Sequence, residues 1–375
     1  MNAVIPVEDN NVIAALRGFL HRLMESGLVD ALLVPLETGD GVVQPALITD
    51  PGHLELANPL LPLMPINNAR AVSAITGKET PARIGVVLRP CEIRALIELV
   101  KLQQASLEKL TIIGLDCPGT FEISDSLTRG TWTQPANISA YLEAAKEGSE
   151  PIIDGLSPRQ ACQMCVQPVP KNVDIHIHLF GVDTGLGLPI TLKDEIAAAL
   201  NLSESGTGGG ESVDEAVTRL TGGRQQVREK TLTQIRQRMA TDGGIASLFT
   251  ACIRCHNCMT ACPICYCKTC LFKTAAFDHE PAFYLNAARR KGATRMLGDT
   301  LLFQMTRLNH MAASCVSCGM CSSACPSEIP VGAIFSAIGE QVQAEFEYTP
   351  GRDASEPLPL ITFHPDEWTE VGEEK

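Results

Sequence analysis

Hydrophobic residues near the start of the chain recur at helical spacing. One apolar face runs through a helix predicted over 11–27, and Gly27 is placed to end it. Its members are Val12, Leu16, Phe19, Leu20 and Leu23.

Short apolar runs then predict a series of buried strands. They lie at 31–35, 46–49, 84–88, 111–115 and 173–181. Helical patterns occupy 92–104 and 192–200. The order strand, helix, strand over 84–115 is typical of a βαβ unit, so these two strands are predicted to be parallel.

The pattern changes after residue 202. Residues 203–212, SESGTGGGES, have the Gly and Ser content of a flexible linker and lack the strand and helix that frame a phosphate-binding loop. The chain from 213 to 349 is mainly helical in pattern, for example over 227–239, 279–291 and 300–313. We therefore predict an α/β domain with a partly parallel sheet over 1–202, a linker over 203–212 and a mainly α-helical domain over 213–349. Residues 350–375, rich in Pro and acid, predict a loose acidic arm, with docking to a partner subunit as the alternative.

Composition narrows the possible functions. The 375 residues are 45% hydrophobic and 19% charged, which is typical of globular proteins. A net charge of −13 without a strong basic patch disfavours a nucleic-acid partner. No stretch reaches the ~18 continuous apolar residues of a membrane span, and the start lacks the pattern of an export signal. We expect a cytoplasmic protein whose 15 cysteines bind metal more often than they form disulfides.

Two cysteine runs have identical spacing, and each is followed by proline. CIRCHNCMTACP contains Cys252, Cys255, Cys258 and Cys262, and CVSCGMCSSACP contains Cys315, Cys318, Cys321 and Cys325. This is the bacterial ferredoxin spacing, in which three thiolates hold one 4Fe-4S cluster and the fourth, before proline, ligates the other cluster.

This crossing predicts two ligand sets. The first is Cys252, Cys255, Cys258 and Cys325, and the second is Cys315, Cys318, Cys321 and Cys262. Structural zinc and free core thiols are the alternatives, but neither requires two matched runs with a crossed fourth cysteine. The span 235–345 also resembles the alpha-helical ferredoxin module of the small iron-sulfur subunits of succinate dehydrogenase and heterodisulfide reductase.

Four further cysteines form a candidate third set. Cys91 and Cys117 each follow a predicted strand, so parallel pairing would bring both to the carboxyl edge of the sheet. The helix after Cys91 would direct its positive N-terminus at that edge and favour a thiolate or an anionic cluster. Cys162 and Cys165 complete a set of four that could share a cofactor, with purely structural cysteines as the alternative.

The segments VVLRPCEIRALIELVKL, IGLDCPGTFE and ACQMCVQPVPKNVDIHIHLFG resemble a known family over about 70–181. It is the family of coenzyme F420 hydrogenase and formate dehydrogenase beta subunits, which handle a 5-deazaflavin coenzyme. The resemblance implies a third 4Fe-4S cluster on Cys91, Cys117, Cys162 and Cys165, beside an FAD. The helical dicluster module after the α/β domain is closer to the formate dehydrogenase branch. No stretch is a recognisable flavin fingerprint, so the resemblance alone implies FAD.

Several other residues are candidates for metal or partner binding. Cys265, Cys267 and Cys270 are one short of a tetrahedral set and are predicted to pack against the clusters, with an extra metal site as the alternative. His256 is predicted to lie beside the ligands without binding metal. A basic patch is predicted to be a solvated helix face, with docking of an anionic partner as the alternative. It comprises Arg289, Arg290, Lys291 and Arg295.

These features predict an electron-transfer subunit. Iron-sulfur clusters pass single electrons, whereas formate, dihydrogen and hydride carriers deliver pairs, so a flavin is the usual converter. Our leading hypothesis is a subunit that relays electrons between a formate dehydrogenase or hydrogenase catalytic subunit and a flavin-dependent acceptor. That acceptor would be coenzyme F420 or a heterodisulfide reductase-like partner. The alternatives are a flavin-free electron carrier without its own activity and a structural zinc protein.

Overall fold

The computed structural model describes residues 1–37, 43–125, 134–204, 210–241, 243–294, 296 and 298–359. An α/β region built on a seven-stranded mixed sheet is followed by a mainly helical region. Both parts of the predicted fold class are confirmed.

The sheet has the strand order β1-β7-β6-β5-β4-β2-β3. The strands are β1 (Asn2–Ile5), β2 (Ala31–Glu37), β3 (Val43–Ile48), β4 (Ile84–Leu88), β5 (Leu110–Leu115), β6 (Ile175–Ile177) and β7 (Leu188–Leu192). Strands β2, β4, β5 and β6 are parallel to one another, and β1, β7 and β3 make antiparallel pairs. The predicted parallel pairing of β4 with β5 is confirmed, with Ile84 opposite Leu110 and Leu88 opposite Gly114.

Within the described residues, the α/β region contains the following α-helices. They are α1 (Val12–Glu25), α2 (Ala69–Thr76), α3 (Pro90–Lys101), α4 (Pro135–Glu147), α5 (Gln160–Gln163) and α6 (Asp194–Ala199). The five apolar residues predicted to line one face of α1 are all buried. Asn11 caps this helix by accepting a hydrogen bond from the Ala14 amide at 3.0 Å.

Two cores lie on the two faces of the sheet. One contains α1 and residues such as Ile113 and Ile175, and the other contains α3 and residues such as Leu88 and Ile112. The second core continues into the helical region and includes the apolar surroundings of both cysteine runs. This continuity brings the carboxyl edge of the sheet next to the ferredoxin-like loops.

The helical region begins with one long helix, α7 (Gly210–Met239). It is followed by α8 (Asn257–Ala261), α9 (Pro281–Lys291), α10 (Thr300–Met311), α11 (Met320–Ser323) and α12 (Val331–Glu345). Helix α7 starts inside the segment predicted as a linker, and residues 205–209 lie outside the described ranges.

Helix α7 connects the two regions by packing on both. Leu220, in its first half, belongs to the core with α1, and Leu232, in its second half, belongs to the core around the cysteine runs. Between them Arg224 is 1% exposed and binds the carboxylate of Glu150 at 2.6 and 2.9 Å and the carbonyl of Pro118. The helix therefore joins the predicted domains through a continuous packed surface.

The first part of the predicted C-terminal arm is packed against α3. Glu98, which is fully buried, accepts hydrogen bonds from the Tyr348 hydroxyl at 2.6 Å and from the Gly351 amide at 2.7 Å. Asn172 donates to the carbonyl of Arg352 at 2.8 Å. Residues 350–359 are thus held rather than loose, because a buried carboxylate requires these donors. Residues 360–375 lie outside the described ranges.

Among the described residues, no helix is both long enough and apolar enough to cross a bilayer.

Candidate iron-sulfur centres

The loops of the two cysteine runs repeat the same backbone conformation. Arg254 and His256 in the first run have φ of 56° and 62°, and Ser317 and Gly319, at the equivalent positions of the second, have φ of 57° and 73°. Left-handed backbone is uncommon for residues other than glycine, so its recurrence at matched positions indicates that the two loops have the same structural role. Each loop leads into a short helix, α8 or α11, and these two helices contact each other.

Cys325 of the second run lies near Cys258 of the first. Burial raises the pKa of Cys258, and the neighbouring thiols Cys252 and Cys325 raise it further, while Arg307 opposes them. Charges act on a pKa only at short range inside a protein, so this effect places Cys325 near the first loop.

Cys262 of the first run in turn has thiols of the second run beside it. Burial raises the pKa of this thiol, and Cys318 and Cys315 of the second run add to the effect. Burial likewise raises the pKa of Cys321 well above its ordinary value, and Cys262 is the next largest cause. Cys325 is therefore a neighbour of Cys258, and Cys262 is a neighbour of Cys315, Cys318 and Cys321. Cys255 is exposed, which puts one edge of the first set at the surface.

A buried arginine faces the first set from α10. Arg307 donates to the sulfur of Cys258 at 3.0 Å and to its carbonyl at 3.0 Å, and the neighbouring Gln304 approaches the sulfur of Cys252 at 3.6 Å. The Nε of Arg307 is buried without a hydrogen-bond partner. No carboxylate in the described ranges forms a salt bridge with this arginine. A buried cation needs an anion nearby, and thiolates holding an iron-sulfur cluster supply one, so these residues fit the group.

The predicted third set also comes together. Cys91 is the second residue of α3, and Cys117 follows β5 on the adjacent parallel strand. Burial raises the pKa of Cys117 to about 12, with Arg89 opposing it and Cys162 and Cys165 reinforcing it. The proximity expected from the parallel sheet is therefore present.

The third set also faces the second. Burial raises the pKa of Cys91 well above its ordinary value, and Glu92, Cys318 and Cys117 contribute in the same direction. Cys318 belongs to the second cysteine run, so the α/β region and the ferredoxin-like region meet at these thiols.

Arg159 occupies the space between these two sets. It is 4% exposed, and it donates to Thr120 Oγ1 at 2.9 Å and approaches the sulfur of Cys162 at 3.7 Å. The same guanidinium reaches Ser323 Oγ at 3.3 Å on the ferredoxin side. Burial would raise the pKa of Cys162, but Arg159 and hydrogen bonds from Thr120 outweigh burial and lower it. Its environment thus favours a thiolate.

The sequence analysis did not identify Arg307 or Arg159 as residues of the cysteine sites. The one available signal for Arg307 is a charged residue on a helix face that also carries Phe303, Leu308 and Met311, all buried. A cation on an apolar face needs a partner inside the protein. Arg159 is an isolated arginine before a CxxC pair and carries no comparable signal.

Cys265, Cys267 and Cys270 lie near one another, because the thiols of Cys267 and Cys270 both add to the rise that burial causes in the pKa of Cys265. Cys267 is exposed, and Cys270 contacts the sulfur of Met259 at 3.5 Å. His256 packs against the ring of Phe303 at 4.6 Å between centroids.

Three residues of the basic patch lie at the surface, as expected for a solvated helix face. Arg289, Arg290 and Lys291 are exposed at the end of α9, and Arg295 lies outside the described ranges.

A cavity beside Cys165 and Cys315 has a volume of about 220 Å³, smaller than the ~300–1,000 Å³ of ordinary ligand sites. This cavity does not fit a whole FAD, and we derive no step through the flavin.

Comparison with known proteins agrees with the iron-sulfur chemistry. Residues 248–329, which include both cysteine runs, match the family model of a 4Fe-4S dicluster domain. One relative is the F420-dependent formate dehydrogenase subunit beta of Methanocaldococcus jannaschii, 24% identical over 96% of this chain and 98% of that protein. Another is the F420-dependent formate dehydrogenase 1 subunit beta of Methanococcus maripaludis, 26% identical over 74% of this chain and 76% of that protein.

A solved structure is also similar. A chain from the xenon-derivatised F420-reducing NiFe hydrogenase complex of Methanosarcina barkeri aligns with a TM-score of 0.44 and 15% identity, over 62% of this chain and 92% of that one. The resemblance predicted from the sequence is confirmed by the relatives along most of the chain, and the chain is an iron-sulfur electron-transfer protein.

Proposed function

We propose that this chain, a homologue of F420-dependent formate dehydrogenase beta subunits, relays electrons between a catalytic subunit and a two-electron acceptor. The catalytic subunit would be that of a formate dehydrogenase or a hydrogenase. The acceptor would be coenzyme F420 or a heterodisulfide reductase-like partner. The names of the relatives support the formate dehydrogenase subunit and coenzyme F420 as the pair to test first.

The relay would use three 4Fe-4S clusters, each held by four cysteines. The first has Cys252, Cys255, Cys258 and Cys325, the second has Cys315, Cys318, Cys321 and Cys262, and the third has Cys91, Cys117, Cys162 and Cys165. When bound, such clusters accept and donate single electrons at potentials set by their surroundings. The chain contributes thiolates, a buried setting and the arginines that compensate negative charge.

One observation carries this proposal: Cys91 and Cys318 are neighbours. The first thiol belongs to the α/β region and the second to the ferredoxin-like region, so the third and second sets are adjacent. Arg307 neighbours both Cys258 and Cys321, which similarly puts the second set beside the first. In the proposed relay the three sets would form a series from the sheet edge to exposed Cys255, where a partner subunit could exchange electrons.

Anaerobic purification followed by iron, sulfide and flavin analysis tests the proposal. Three clusters predict about 12 iron with matching sulfide per chain, and two predict about 8. Cys91→Ser should lower the iron content by about 4, whereas Cys270→Ser, a matched change of a thiol outside the sets, should leave it unchanged. Iron near 8 in the unaltered chain would remove the third cluster, and a colourless zinc-containing protein would overturn the relay altogether.

The alternative is a flavin-free electron carrier with no activity of its own. Flavin in the purified complex, together with formate-dependent reduction of coenzyme F420, would support the catalytic version. Full iron content without flavin and without F420 reduction would support the carrier.

A further inference from the structure

One end of the sheet carries a row of polar side chains on a single face. In β6, Ile175 and Ile177 point into the core with α1, so His176 between them points to the opposite face. Thr191 of β7 is opposite His176 on one side and Asn2 of β1 on the other. A polar row therefore crosses three neighbouring strands.

Three metal-binding side chains meet at the end of this row. Their ligand atoms lie within 4.8 Å of one another, and theirs is the one such group of three in the described residues. They are Asp116, after β5, and His176 and His178, at and beyond β6. Asp116 Oδ1 is 2.8 Å from Nε2 of His176, and the two imidazole centroids are 3.9 Å apart.

The carboxylate of Asp116 is held in one orientation. Its Oδ2 accepts hydrogen bonds from the amides of Leu179 at 2.9 Å and Phe180 at 3.2 Å, which leaves Oδ1 facing the imidazoles. The side chain is 1% exposed, and its ion-pair partner in the described ranges is His176. Burial of a carboxylate is costly unless it is paired, so this position suits a cation held by Asp116 and the histidine together.

His178 is held in an equally specific way. Thr191 Oγ1 donates to Asn2 Oδ1 at 3.0 Å, so its oxygen is left to accept from Nε2 of His178 at 2.8 Å. Nδ1 is then the nitrogen of His178 that carries a free lone pair. Hydrogen bonding of one ring nitrogen to orient the other toward a metal is the usual support for a histidine ligand.

We propose that Asp116, His176 and His178 bind one divalent transition-metal ion of the zinc type. Two imidazoles and one carboxylate suit zinc and neighbouring first-row metals, and water would complete four-coordinate geometry. Metal binding replaces the hydrogen bond between Asp116 and His176. The ion ties the end of β5 to the end of β6 at the residue before Cys117, so it stabilises the edge of the sheet that carries the third cysteine set.

Zinc binding to the full-length, anaerobically purified protein tests this proposal. The protein is treated with a mild chelator that leaves the iron content unchanged and is then titrated with Zn²⁺. We expect one Zn²⁺ per chain, with X-ray absorption at the zinc edge showing a nitrogen and oxygen shell at about 2.0–2.1 Å and no sulfur at about 2.3 Å.

The variants His178→Gln and Asp116→Asn should each weaken zinc binding at least about tenfold. His53→Gln is the control, because His53 is an exposed histidine that also faces an aspartate, Asp50, at 3.5 Å. If Asp116→Asn fails to fold, His178→Gln still decides the question, because its ring is only half-buried. Unchanged zinc affinity in folded His178→Gln, or a sulfur shell around the zinc, would overturn the site. Neither result depends on whether the chain relays electrons.

Discussion

Arg307 donates a hydrogen bond to the sulfur of Cys258 at 3.0 Å. The guanidinium is 3% exposed and lies against the rings of Phe303 and Phe335, 5.5 and 4.9 Å from their centroids. Donors and positive charge at a ligand sulfur stabilise the reduced state of a cluster, because reduction adds negative charge. Arg307 would therefore raise the reduction potential of a cluster held by the first cysteine set.

Arg307→Met should therefore lower that potential. A hydrogen bond to a charged group contributes about 1.5–3 kcal/mol, which at ~59 mV per tenfold change corresponds to roughly 60–130 mV. Potentiometric titration followed by electron paramagnetic resonance measures the shift. Arg238→Met, at an exposed position of α7, is the control and should leave the potential unchanged. An unshifted potential in Arg307→Met with full iron content would contradict the role of this arginine.

Crossed ligation predicts which cysteine variants behave alike. Cys325→Ser should alter the same resonance signal as Cys252→Ser, although these residues belong to different runs. Cys262→Ser should alter the signal affected by Cys321→Ser. Cys267→Ser, which changes an exposed thiol, should alter neither. If Cys325→Ser instead matched Cys321→Ser, each run would hold its own cluster and the crossed sets would be wrong.

Arg159 should influence two centres at once. It neighbours Cys162 and Cys91 of the third set and Cys318 of the second. Arg159→Gln removes the positive charge, so the potentials of both clusters should fall together, while that of the first cluster should change least. The same titration, on protein with unchanged iron content, measures all three. A shift confined to one centre would show that Arg159 does not lie functionally between them.

Tyr348 should hold the segment 350–359 against α3. Tyr348→Phe removes the donor that reaches Glu98 at 2.6 Å, at a cost of about 1–3 kcal/mol for a buried carboxylate that loses a partner. Hydrogen exchange at the Gly351 amide should accelerate about fivefold or more, because this amide donates to the same carboxylate. Tyr266→Phe, at an exposed tyrosine, is the control. Unchanged exchange at Gly351 would show that other contacts hold the segment.

Local patterns predicted the elements that bury a repeating apolar face. The spacing in α1 and the runs in β4 and β5 sufficed because the periods of helices and strands are set by backbone geometry. The cysteine runs were equally readable, since ligands of one cluster are crowded into a short loop. β1 was missed because four residues of alternating burial are too few to distinguish from a loop.

Contacts between distant segments could not be read in this way. β1 finds its partner in β7 about 190 residues away, and the Arg307 guanidinium meets Cys258 across two helices with no shared pattern between them. The meeting of Asp116 with His176 likewise depends on β6 lying beside β5. The periodicity of a sequence shows which side of a helix or strand is buried. The element against which that side packs is decided by the whole fold. The surroundings of the cysteines depend on this packing, so the sequence alone did not predict them.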